Sequence, residues 1–104
     1  MDAAKQAKLQ AAGWQVGSTE EFLGLTTEEA ELVEVRLRLS GALRGERERR
    51  KVTQAVLARK LGSSQSRVAK IEAGDPSVSL DLMVRALLTL GASRRELAEW
   101  LAAA

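Results

Sequence analysis

The chain has 104 residues, a formal net charge of +2, 45% hydrophobic residues and three aromatics, Trp14, Phe22 and Trp100. It holds neither cysteine nor histidine, so disulfides and thiolate metal sites are excluded and the commonest general base and zinc ligand are missing. Such a length makes one small domain, and a core of leucine, valine and alanine with a single proline and no alternating β-branched runs points to an all-α fold.

In chain order, Met1–Ala12 has the composition of a helix, which Gly13 would end. Trp14, Val16, Phe22, Leu23 and Leu25 then crowd an otherwise polar stretch, and Ser18 with Glu21 has the S-x-x-E order of a capping box. These apolar residues either fold back on the core or dock a second protein or another copy of the chain. Residues 1–26 are accordingly expected to be an N-terminal helical extension, a partner-binding or dimerisation segment. Residues 27–104 are expected to form the main domain.

Thr26 and Glu29 make a second capping box, with Glu28, Glu29 and Glu31 at the positive end of a long helix expected from Thr27 to about Lys51. Leu32, Val35 (or the stem of Arg36), Leu39 and Leu43 give its inward stripe, which Val33 and Leu37 widen. Gly41 and Gly45 each weaken a helix by about 1 kcal/mol relative to alanine, so a bend or break is expected near residues 40–45. The run RGERERRK that follows is a mixed charged segment of the kind that usually forms a solvated face.

The stretch Thr53–Gly74 reads as two short helices joined by a tight turn. Thr53 caps the first, with Val56, Leu57 and Leu61 (or the stem of Lys60) inward and small Ala58 allowing a close crossing. Gly62 stands where the chain leaves the helix with positive φ. Ser63 or Ser64 caps the second, which turns Val68 and Ile71 inward. Gln65, Ser66, Ala69 and Lys70 then face outward. Gln, Ser and Lys can reach base edges in a DNA major groove, and Ala suits a thymine methyl.

Beyond a turn at Asp75-Pro76-Ser77, Ser79 caps a helix with Leu80, Met83, Val84, Leu87 and Leu88 at core spacing and Gly91 as its stop. Ser93 to Glu96 is a third capping box, opening a last helix with Leu97, Trp100 and Leu101 on its apolar face. Charge is unevenly placed: −5 over residues 1–34, +8 over 35–74 and −1 over 75–104. A basic middle is the footprint of a phosphate-binding surface.

On Gln54, Ala58, Gly62, Val68 and the sequence TQAVLARKLGSSQSRVAKIEAG, the chain resembles the Xre/Cro-type helix-turn-helix family of phage repressors and bacterial regulators, from about Glu29 to Leu101. Ser63 departs from the small apolar residue more usual there. The resemblance implies a five-helix, lambda-repressor-like fold with the third helix in the major groove. It also implies that Arg47 pairs with Glu72 near the end of that helix. Double-stranded DNA is the expected partner of a homodimer, with Gln54, Ser64 and Arg67 on backbone phosphates and Gln65, Ser66 and Lys70 on bases, Ala69 meeting a methyl group.

The order of segments is also similar to HigA-type antitoxins, which would add a small basic toxin protein as partner of the acidic N-terminal third. No catalytic constellation, cofactor or metal is expected. No segment approaches ~20 apolar residues and no signal peptide is apparent, so a cytoplasmic protein is expected. The basic run alternates with Glu46 and Glu48 and lacks an aromatic face, which argues against a membrane surface.

Overall fold

The computed structural model describes residues 24–103, with helices α1 (Thr27–Arg49), α2 (Gln54–Leu61), α3 (Gln65–Glu72), α4 (Leu80–Leu90) and α5 (Arg94–Ala102). Among the described residues there is no strand, so the fold is all-α as expected. The helix at residues 1–12, the Ser18–Glu21 box and the apolar residues Trp14, Val16, Phe22 and Leu23 lie outside the described residues. The chain divides into two units, Met1–Glu34 and Val35–Ala104, and the helix-turn-helix lies wholly in the second.

Side-chain oxygens fix where the helices begin. At α1 the Thr26 hydroxyl accepts from the Glu29 N–H at 3.1 Å while Glu29 accepts from the Thr26 N–H at 2.9 Å. Thr53, Ser64 and Ser79 accept from the N–H groups of Val56, Arg67 and Leu82 at the starts of α2, α3 and α4. Ser93 and Glu96 complete a reciprocal box at α5. Each such cap is worth about 1 kcal/mol against alanine. Two helices end on glycine in the left-handed region: Gly62 with φ 71° after α2 and Gly91 with φ 108° after α4.

Contrary to the expected break, α1 runs unbroken through Gly41 and Gly45 to Arg49. Both glycines are exposed. Leu39 and Leu43, on the opposite face, are fully buried. Burying a leucine contributes about 1.5–3 kcal/mol, which exceeds the glycine penalty on the same turns. The inward stripe is narrower than its apolar composition suggests: Leu32, Val33 and Leu37 are exposed, while Ala30 is buried.

The core of the second unit gathers Leu39 and Leu43 from α1, Leu57, Ala58 and Leu61 from α2, Val68 and Ile71 from α3, and the inner face of α4. Helix α2 packs against both α3 and α4. The buried face of α4 is rotated from the expected one: Leu82, Ala86 and Leu90 join Met83 and Leu87 inside, and Leu88 is exposed. Asp81, Arg85 and Thr89, four apart, mark the polar face of this helix; Leu88 borders that stripe, and small Ala86 turned inward permits close packing. Leu80, Val84, Leu97 and Trp100 are half-buried against this core, whereas Leu101 is exposed.

Three arginines of α1 and the residue following it tie the helix to main-chain carbonyls. Arg36 donates to the Val78 carbonyl, Arg47 to that of Val52 at 3.0 Å, and Arg50 to that of Leu90 at 2.8 Å. Ser40 is buried, and its hydroxyl has no hydrogen-bond partner among the described residues.

Candidate nucleic-acid interface

The orientation of α3 follows from its two fully buried residues, Val68 and Ile71. With these inward, Gln65, Ser66, Arg67 and Lys70 are exposed and Ala69 is half-buried. Ser64, also exposed, serves as N-cap, its hydroxyl accepting from the Arg67 N–H at 3.1 Å and lying 3.2 Å from the Ser66 hydroxyl. The turn before it is closed by the Gly62 and Ser63 N–H groups, which donate to the Arg59 and Ala58 carbonyls. The polar residues named from the sequence for α3 therefore all lie on its exposed surface.

Behind that surface the end of α3 is locked to α1. Arg47 and Glu72 form a two-pronged pair, at 2.5 Å through Nε and 3.1 Å through Nη2, with side chains 13% and 6% exposed. Hydrogen bonding to Glu72 holds the Arg47 guanidinium above its ordinary range, so it stays charged at any working pH. Gln54, at the start of α2, joins the cluster: its amide Nε2 donates to Glu72 Oε1 at 3.1 Å. The side chain named from the sequence as a phosphate anchor is thus engaged with a carboxylate, and it sits half-buried.

A family model described as a helix-turn-helix domain matches residues 38–100. The chain belongs to the helix-turn-helix domain family. The match runs from the second half of α1 into α5 and includes Arg47, Gln54, Glu72 and the residues of α3. No curated protein and no solved structure matches the chain.

In this helix-turn-helix domain much of the basic charge is internally answered. Arg49 and Arg50 pair with Glu46 at 2.5 and 3.2 Å, and Arg44 pairs with Glu48 at 3.3 Å. The Arg49 hydrogen bond, helped by that from Arg50, holds the Glu46 carboxyl below its usual range against the opposing effect of burial. Asp75 is lowered as well, chiefly because its carboxylate accepts from the Ser77 N–H. The exposed cations Lys51, Arg59, Lys60, Arg67 and Lys70 make no ion pair among the described residues. Two of them, Arg67 and Lys70, lie on α3 itself.

Sequence reasoning missed the backbone contacts of Arg36 and Arg50 and the link from Gln54 to Glu72. A polar residue at a helix start reads equally well as a phosphate ligand or as a bridge to a neighbouring helix. Among the described residues no group of three or more acidic side chains could hold a metal ion, and no helix is long and apolar enough to cross a membrane.

Proposed function

We propose that this helix-turn-helix domain is the DNA-reading part of a sequence-specific transcriptional repressor of the Xre type, non-enzymatic and working as a homodimer. The observation that carries this reading is the division of α3 into a fully buried pair, Val68 and Ile71, and an exposed set, Gln65, Ser66, Arg67 and Lys70. Gln65 and Ser66 in the first turn and Lys70 a turn later are the base readers, with Ala69 against a thymine methyl. Ser64, Arg67 and the N-terminus of α2 at Gln54 take backbone phosphates. One small domain covers little DNA, so specificity calls for two copies on half-sites about 34–36 Å apart.

Binding-site selection on randomised duplexes tests this. Gln65→Ala should relax the preference at one base position, a loss of about 1–3 kcal/mol in discrimination, while Arg67→Ala weakens all sites alike. An unchanged selected sequence for Gln65→Ala, or no enrichment by the wild type, refutes the assignment.

A second reading, an antitoxin of the HigA type that also represses its own operon, is favoured by the charge of −5 over residues 1–34 and by exposed Leu32 and Val33 on α1. An acidic surface with apolar residues suits a basic partner. Inhibition of a small basic ribonuclease by the purified chain supports it, and a chain that leaves such enzymes active counts against it.

A further inference from the structure

Two glycines within one long helix need a reason, since each costs about 1 kcal/mol against alanine. Gly41 and Gly45 are both exposed, and a Cβ added at either would meet nothing within 4 Å. Local packing therefore does not demand them. They lie four apart, and Arg44 and Glu48 fall on the same face of α1 at helical spacing. Arg44 also lines a cleft together with Gln54 from α2, Ala69 from α3 and Ala73, the residue that caps α3, the buried Arg47–Glu72 pair completing its walls. The cleft opens beside the reading helix, its α3 side is formed by Ala69 and Glu72 with the cap residue Ala73, and on α1 the flank of Arg44 away from Arg47 is bare backbone at Gly41 and Gly45.

We infer that Arg44 is a further phosphate-binding residue of this domain, and that Gly41 and Gly45 keep the surface around it low enough for the duplex backbone to approach. The inference rests on the DNA-binding reading above. Arg44 is held meanwhile by Glu48 through a single 3.3 Å contact between side chains 66% and 58% exposed. Exposed pairs of this kind contribute little, whereas a guanidinium meets a phosphate through two parallel, charge-assisted bonds. A backbone phosphate entering the cleft mouth therefore displaces Glu48, which acts as an internal competitor for the Arg44 guanidinium.

The experiment is a salt titration of binding to the selected duplex by wild type, Arg44→Ala, Glu48→Gln, the double variant and Gly45→Gln, with melting temperatures for each. Losing one phosphate contact per protomer should flatten log K against log[salt] by about 0.9 per protomer, with the selected sequence unchanged. Glu48→Gln should tighten binding in the wild-type background and not in the Arg44→Ala background, a pattern that simple removal of negative charge does not produce. Gly45→Gln should raise the melting temperature and weaken binding, because a better helix former fills the cleared surface. A steep wild-type slope that Arg44→Ala leaves unaltered overturns the assignment of Arg44 while the DNA-binding reading stands. Undiminished binding by a stabilised Gly45→Gln overturns the role of the glycines. A flat wild-type titration refutes DNA binding itself.

Discussion

Arg47 and Glu72 offer the most direct test of how α3 is held. Arg47→Ala removes both prongs of the pair, at 2.5 and 3.1 Å, and also the donor to the Val52 carbonyl. It leaves a carboxylate only 6% exposed, with the amide of Gln54 as its remaining partner. Stranding one half of such a pair costs about 3–5 kcal/mol, and the orphaned carbonyl adds about 1 kcal/mol where water cannot reach it. Glu72→Ala strands the guanidinium instead and should fall in the same 3–5 kcal/mol range. In a domain this small each kcal/mol moves the melting temperature by about 4–8 °C, so either single variant should melt at least about 12 °C lower. The double variant removes both charges at once, and the coupling should reach about 2–3 kcal/mol. Urea denaturation of all four proteins at a common slope measures it. Losses that add to within about 0.5 kcal/mol would refute the idea that the two side chains act as a unit.

Ser40→Ala should raise stability by about 1 kcal/mol, read as a shifted urea midpoint, because it removes a buried hydroxyl without a partner among the described residues and improves helix propensity. Gly91→Ala should cost about 1–3 kcal/mol in thermal melts, since φ is 108° there and the new Cβ would stand 2.8 Å from Arg50 Nη1, straining the backbone and displacing the guanidinium from the Leu90 carbonyl. The lowered carboxyl of Glu46 gives stability that is present above its ordinary value of 4.5 and is lost as pH falls through the lower folded value. Glu46→Gln should therefore flatten the acid limb of stability against pH, and an unchanged limb would show that Glu46 contributes nothing there.

Much of this architecture is legible in the chain because the local chemistry is specific. Thr53, Ser64, Ser79 and Ser93 cap the helices expected of them, Gly62 and Gly91 take positive φ, and Val68 and Ile71 are the buried pair of α3. The Arg47–Glu72 pair comes from family resemblance, since a spacing of 25 residues leaves no local signal. The continuity of α1 was not legible: propensity at Gly41 and Gly45 argues for a break, and only the burial of Leu39 and Leu43 outweighs it. At α4 the polar stripe Asp81, Arg85 and Thr89 places Leu88 at its border, a signal that the spacing of the leucines alone passes over. The run RGERERRK reads as a solvated face, yet Arg50 crosses to the Leu90 carbonyl. An arginine that bonds to main chain leaves no partner side chain for a sequence pattern to reveal.

That last kind of contact bears on how the domain can tolerate change. Arg36 and Arg50 each depend on an acceptor that belongs to the backbone, at Val78 and Leu90. No substitution at those two positions can delete the acceptor, so a drifting sequence can break either tie only from the arginine end. Mutational tolerance across each contact is therefore lopsided. A deep scan of substitutions should find positions 36 and 50 intolerant even of lysine, whose single ammonium lacks the planar fork, while positions 78 and 90 accept any apolar residue that fills the same space. Designers changing the exposed residues of α3 can repack beneath those carbonyls freely, provided the two arginines stay.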